Sequence, residues 1–500
     1  MKTVFALFAV TALAAMLTAC PTQPDTSLKP QIASFTATPS SLPAVGGSLT
    51  LAWNVTGASS LSIDQGVGAV TGSSKVVNVA ANTTFTLTAT NANGPSTATA
   101  AVSLSPALLY ADSALGQDSN PGTIDKPFKT IKQALTVVTA GQTIVLNPGI
   151  YDGASGETWA YKIPDKVIIK ANSSGVVLSS ASGQDAFAFL GDGEIRYLTF
   201  KGFGQALRAN KGTQKIIGAS VEGKRGLNWS GDASASLEDC VFQTTETALQ
   251  ASYTSHLEIL NGKLASTSNN LIVQQLARVS IKGTTITGGT IDLNQTGSLS
   301  LENVKLSNVR SYAIYVRAGA PFLNIKGGSF SNSSQQADVI LLEQGTVNID
   351  GAAFTGNGTA IGASAGSVTL RNSTISNNTS YGITIGKGVA FKMRGSTVGG
   401  NAYGLSISDA SGGIDLGTAS DPGGNTITDN RNYSNSFGAN ISGGWQGTGT
   451  VQAVGNTWNP NLQGTNAAGH YPSQLLTCAG SYPTLTLYNS YCSSGASIQF

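Results

Sequence analysis

Charge is scarce in this chain. Only 11% of its 500 residues are Asp, Glu, Lys or Arg, and 28 basic side chains face 26 acidic ones. No basic run occurs, which argues against nucleic acid as a partner, because phosphate backbones are held by clustered cations. The two histidines, His256 and His470, are far apart and make neither a triad nor a metal pair. Past the first seventeen residues no apolar stretch is long enough for a second membrane anchor. Cysteine numbers four. What is abundant is Gly, with Ser, Thr and Asn, the composition of a β-rich extracellular protein long enough for more than one domain.

Met1 and Lys2 form a short positive start, and residues 4–17 an apolar run too short to span comfortably. This reads as a secretory signal, residues 1–19. It ends in Leu17-Thr18-Ala19-Cys20, which resembles the bacterial lipobox. The resemblance implies lipidation of Cys20, secretion, and attachment by the N-terminal lipid to the cell envelope, at the outer membrane or cell surface. Export exposes the chain to oxidation, so Cys478 and Cys492 are expected to close a short disulfide loop worth about 3 kcal/mol. Cys240 is then left over, as a buried, inert thiol.

Residues 20–28 read as a tether. Residues 29–105 alternate at strand period, as in Leu49-Thr50-Leu51-Ala52-Trp53-Asn54-Val55 and Thr84-Phe85-Thr86-Leu87-Thr88-Ala89-Thr90, with turn signals between. This stretch resembles bacterial immunoglobulin-like spacer domains, an all-β sandwich with Trp53 as core aromatic. Residues 106–180 carry Tyr110-Ala111-Asp112-Ser113, Asn120-Pro121-Gly122-Thr123 and Lys126-Pro127-Phe128-Lys129-Thr130-Ile131. A short helix is predicted over 130–138, capped by Thr130 and Gln133 and stopped by Gly141, with Ile131, Ala134, Leu135 and Val138 on its apolar face. Gly141-Gln142-Thr143-Ile144-Val145-Leu146 then begins the sheet. The block resembles a bacterial domain family of unknown function that opens right-handed β-helix proteins, and the first coils of some pectate lyases. The helix is the expected cap over the solenoid's open end.

The rest repeats. Two apolar residues two apart are followed by a turn residue two later and an apolar residue three later. Val279, Ile281, Gly283, Ile286 fit, as do Leu299, Leu301, Asn303, Leu306 and Val347, Ile349, Gly351, Phe354. Starts lie 20 to 24 residues apart, one coil of a solenoid. The turn position holds Gly218, Asp239, Asn261, Gly283, Asn303, Gly327, Gly351, Asn372 and Gly395, the residue types that accept a left-handed backbone. The fold class is therefore all-β: a right-handed parallel β-helix over 106–500, preceded by a small sandwich. The stretch 412–444 reads as polar loop, and 412–500 as a closing region with Trp445 and Trp458.

For chemistry, outward positions of the first strand give Lys282, Glu302, Lys326, Asp350, Arg371 and Arg394, a ladder of stacked ion pairs. Outward positions of a second strand give Arg208, Asn228, Gln250, Asp292 and Tyr315, with Trp229 beside them, a set suited to sugar rings and hydroxyls. Asn and Gln in such rows also form ladders with one another. A polysaccharide lyase would need a base and a Ca²⁺-binding carboxylate cluster. Lys201, Arg208 and Arg225 are the candidate bases, and Lys201 is expected to neighbour Glu222. No Asp cluster appears, either for Ca²⁺ or for a polygalacturonase-like hydrolysis, and Asp118 and Asp125 read as turn residues. The expected function is a lipid-anchored, non-catalytic envelope protein without cofactor, whose β-helix flank binds glycan or envelope polymer. The alternatives are a Ca²⁺-dependent lyase of acidic polysaccharide and a purely structural envelope protein.

Overall fold

The computed structural model describes residues 28–43, 46–105, 108–309, 312–331, 338–409, 411–430, 439–442, 449–458, 475–477 and 496–499. Cys20, Trp445, His470, Cys478 and Cys492 lie outside them, and of Trp458 only the backbone is described. The chain divides into two units, Met1–Ala107 and Leu108–Phe500.

In the first unit Gly47–Thr56 pairs antiparallel with Gln31–Thr38 and with Ser74–Val79. A second sheet runs in the order Ser41–Pro43, Gly94–Ser105, Thr83–Asn91, Ser60–Ile63, Gly68–Ala69. Alternation turns Leu49, Leu51 and Trp53 of one sheet and Phe85 and Leu87 of the other into a single apolar cluster. Trp53 is buried there, and its indole N–H donates to Gly72 O at 2.9 Å.

The second unit is a parallel β-solenoid of about 12 turns. One row shows how the sequence makes it. Ile195, Ile216, Leu237, Ile259, Ile281, Leu301, Ile325, Ile349, Leu370 and Met393 are partners in consecutive rungs. All ten are at most 2% exposed. Each buries an aliphatic side chain, worth about 1.5–3 kcal/mol, against the same position of its neighbours. Two residues after each row member the chain must bend sharply. All nine turn residues predicted for that bend have φ between 47° and 71°. Tyr197 extends the row upstream at φ 59°. Its ring lies where a Cβ on Gly218 would meet Cδ1 at 2.5 Å, so a larger residue there would have to displace the exposed Tyr197 ring.

The helix spans Ile131–Val137 with Thr130 as N-cap, its hydroxyl accepting from Gln133 N at 3.0 Å. It ends at Val138 in an extended conformation, ahead of Gly141. Its first amides are also met from a distance. Glu157 accepts from Ile131 N at 2.7 Å, and Asp118 accepts from Lys129 N and Thr130 N, each at 2.9 Å. Ile131, Ala134 and Val138 join the solenoid core, with Leu135 packed against it.

Where it is described, the stretch 412–444 read as polar loop continues the solenoid. Ile414–Asp415 pairs with Phe391 and Lys392, and Thr426–Thr428 with Thr397, Val398 and Gly399. Buried Ile414, Leu416 and Ile427 keep the core going. Part of the stretch's polarity, Asn425 and Asn430, belongs to buried ladders. Asn357, Asn378, Asn401 and Asn430 stack, each Oδ1 of the last three accepting both the backbone N and the Nδ2 of the one before, at 2.7–3.2 Å. Ser373, Ser396, Asn425 and Asn456 form a second such row.

Candidate functional site

The registers bring the predicted flank together. Arg208 pairs with Asn228, Asn228 with Gln250, Gln250 with Ile272, Ile272 with Asp292, and Asp292 with Tyr315. One row therefore holds all five predicted outward residues, interrupted once by Ile272. Trp229 is not among them. It follows outward Asn228 and so points inward, 0% exposed, with Nε1 donating to Gln214 Oε1 at 2.8 Å. An indole whose N–H finds a partner inside needs no water and offers no surface to a sugar.

The far end of the row is an interlocked cluster. Arg317, two residues beyond Tyr315 on Ile314–Gly319, lies with its guanidinium 4.0 Å from the Tyr315 ring centre. Its Nε reaches back to both carboxylate oxygens of Asp292, at 2.9 and 2.8 Å. The Tyr315 hydroxyl reaches forward to Glu343, and that bond holds its proton more tightly than in a free phenol. Asn294 Nδ2 donates to Asp292 Oδ1 at 3.3 Å, and the Tyr312 ring lies 5.3 Å from that of Tyr315. A cation, two carboxylates, an amide and two aromatic rings thus face outward on adjoining coils in fixed orientations. Arg317, Glu343 and Tyr312 were not singled out from the sequence. Their signal was the alternation Ala313-Ile314-Tyr315-Val316-Arg317, which turns Tyr315 and Arg317 to one side.

The candidate bases are engaged. Lys201 pairs with Glu222 at 3.1 Å, the neighbour expected for it, Arg208 with Asp185 at 3.2 Å and Arg225 with Glu246 at 2.6 Å. Among the described residues no group of three or more His, Cys, Asp or Glu is placed to hold a metal ion. Cys240 is buried, and burial pushes its thiol up to about 11, away from the reactive thiolate.

The charged row on the first sheet runs as predicted, Lys282, Glu302, Lys326, Asp350, Arg371 and Arg394 in consecutive rungs. Among the described residues only one of these pairs closes to ion-pair distance, Lys282 to Glu302 at 3.4 Å. Arg394 leaves the row. It turns onto Asp415 and Asp421 at 2.7 and 2.8 Å, and with Lys392 it holds the Asp421 carboxyl well below the usual range.

Residues 114–298 match a family model described as Protein of unknown function (DUF1565), and residues 271–431 one described as Right handed beta helix region. The solenoid is a right-handed parallel β-helix. Among solved structures this β-helix is distantly similar to the catalytic unit of a GH87 alpha-1,3-glucanase from Streptomyces thermodiastaticus. Identity there is 13% over 92% of this chain and 89% of that one, with a TM-score of 0.37. A GH136 lacto-N-biosidase from Eubacterium ramulus matches at 11% identity over 70% and 68%, TM-score 0.34. Pectate lyase Pel9A matches at 14% over 60% and 74%, TM-score 0.30. No curated protein matches the chain.

Proposed function

We propose that this β-helix is a glycan-binding protein of the cell envelope that holds an extended chain along the flank from Arg208 to Glu343 without cleaving it. The reading is carried by the interlock of Asp292, Tyr315, Arg317 and Glu343. Sugar rings present apolar C–H faces and hydroxyl edges, and they are held by aromatic surface next to oriented polar groups. Here each polar side chain is already positioned by a neighbour, so little rotamer freedom remains to be lost on binding. The pairing of Lys201, Arg208 and Arg225 with carboxylates favours binding over elimination, since a base must be free to take a proton. In this reading acylated Cys20 tethers the chain to the membrane, and the N-terminal unit is the spacer.

The test is a glycan array probed with the full chain, followed by titration of the hits with Tyr315→Ala and Arg317→Ala. Binding is expected, with each variant weakened at least about tenfold. Silence across the array overturns the reading, and so does the release of unsaturated uronides from any bound polysaccharide. For the anchor, fatty-acid labelling is expected on the wild type and lost in Cys20→Ala.

A further inference from the structure

The sheet that carries the charged row has an outer face that is its own complement. Its strands turn alternate residues outward, so successive coils build three straight columns with a rung about every 4.8 Å. One column reads Lys282, Glu302, Lys326, Asp350. A two-fold axis along the strand direction, midway between the rungs of Glu302 and Lys326, lays a second copy face to face with the first. Its coils then run in reverse order, and each column lies opposite itself. Lys282 faces Asp350 of the second copy and Glu302 faces Lys326, and the axis repeats both contacts. The middle column follows the same operation. Ser280 and Ser300 meet Asn348 and Asn324, a hydroxyl opposite an amide each time. In the remaining column the Phe322 ring, 40% exposed, falls opposite Ser298 beside the axis. An exposed aromatic facing a small side chain at the centre of a polar face is what an interface uses as an anchor.

Neighbouring registers do not match. An axis on a rung sets every charge against its own copy. One rung further along, Lys282 faces Arg394 and Glu258 faces Asp415. One rung back, Glu238 faces Asp350. Within the chain the four central charges are little used. Among the described residues only Lys282 and Glu302 close an ion pair, at 3.4 Å, with 55% and 37% of their side chains exposed. Every strand of this face is described, and residues 310–311 and 332–337 join strands of the other sheet.

We propose that this face is a dimer interface, on which a second copy of the chain docks with its solenoid antiparallel to the first. The six rungs from His256–Leu260 to Ser367–Arg371 pair without a like-charge contact. They cover roughly 800 Å² over both copies, the class of weak, reversible association. Charge matching here sets the register and makes the dimer salt-sensitive, more than it adds affinity. The flank proposed for glycan lies on the other sheet, so both copies keep it open and one long polymer could engage two flanks. The interface stands whether or not glycan binds.

The test is sedimentation equilibrium of the full chain carrying Cys20→Ala, which leaves no lipid to drive association. A monomer–dimer equilibrium is expected, strongest near about 20 mM salt and dissolved by about 500 mM. Glu302→Lys and Lys326→Glu each set like charges together twice across the axis. Each alone should weaken dimerisation at least about tenfold, with unchanged circular dichroism. Mixed in equal amounts the two should associate, because each supplies the charge that the other lacks. The double variant Glu302→Lys, Lys326→Glu keeps the wild-type net charge and should regain dimerisation. Phe322→Ala should weaken it about three- to tenfold. A wild-type chain still monomeric at about 1 mM in low salt would overturn the interface. So would a single charge variant that dimerises like the wild type, or a mixture or double variant that stays monomeric.

Discussion

The Arg317 guanidinium is held between two partners at once, stacked 4.0 Å from the Tyr315 ring centre and bonded through Nε to both oxygens of Asp292. The Arg317 side chain is 44% exposed, so water screens the ion pair and the fold draws little from it. Arg317→Ala should cost about 1 kcal/mol in urea unfolding, mostly the stacking. Its effect on glycan affinity should be far larger, because Tyr315 and Asp292 lose their common orientation. Arg317→Lys should restore the charge without the function, since an ammonium neither stacks as a plane nor donates as a fork. Lysine binding as well as arginine would show that only charge matters here.

Gly351 tests the turn rule with little steric interference. Its φ is +71°, and a Cβ there would meet nothing closer than 3.8 Å. Backbone conformation alone then decides what fits. Gly351→Asn should be tolerated to within about 0.5 kcal/mol, since asparagine fills the same turn at Asn303 and Asn372. Gly351→Val should cost about 1–2 kcal/mol or more, because a β-branched side chain is crowded at positive φ. The midpoints of denaturant unfolding decide; valine matching asparagine would contradict the rule.

Asn378 sits in the middle of the buried amide row and is 1% exposed. Its Oδ1 accepts from Asn357 N and Nδ2, both at 2.9 Å, and its own Nδ2 donates to Asn401 Oδ1 at 2.7 Å. Asn378→Ala leaves two buried donors and one acceptor short, and should cost about 2–4 kcal/mol. Asn378→Asp should be at least as costly, because a carboxylate keeps the acceptor for Asn357 but meets Asn401 Oδ1 with no proton to give. Losses under about 0.5 kcal/mol in equilibrium unfolding would mean that the row adds nothing to the solenoid.

The strictly periodic features were readable in advance. The aliphatic row, the left-handed turns and the predicted flank residues each recur at a constant offset within the coil, so one coil's reading transfers to the next. What varies from coil to coil was not readable. The corners between equivalent buried positions differ in length, seven, five and eight residues in three successive coils, and seeing that requires the register of the three together. The contact from Tyr315 to Glu343 likewise requires the register of two neighbouring coils. Two residue types were read by habit where position decides. Trp229 looked like a sugar platform, yet strict alternation beside Leu227 and Asn228 turns it inward onto Gln214. Asn425 and Asn430, inside the stretch 412–444, looked like loop, because polarity in sequence does not distinguish a solvated amide from one satisfied by its counterpart in the next coil.

Glu157 makes the cap pH-sensitive, and the sign follows from its surroundings. The carboxylate accepts from Ile131 N at 2.7 Å, from Lys132 N at 3.3 Å and from the Tyr161 hydroxyl at 2.6 Å, at a position 4% exposed. Burial pushes its pKa above the ordinary glutamate value, against the opposing pull of these three donors. The folded state therefore keeps this proton at pH values where the unfolded chain has lost it. Its contribution is fully present below the ordinary value, about 4.3, and is lost as pH rises through the folded value. Wild-type stability should accordingly decline relative to Glu157→Gln across the interval just above the ordinary value. Glutamine can still accept from Ile131 but has no proton to lose. Tyr161→Phe removes the strongest donor to the ionised form, so the carboxyl should rise further and the decline extend to higher pH. Denaturant midpoints of the three proteins between about pH 4 and 7 give the answer. A wild type that tracks Glu157→Gln throughout would mean that the carboxyl titrates as in the unfolded chain, with the three hydrogen bonds offsetting burial at the cap.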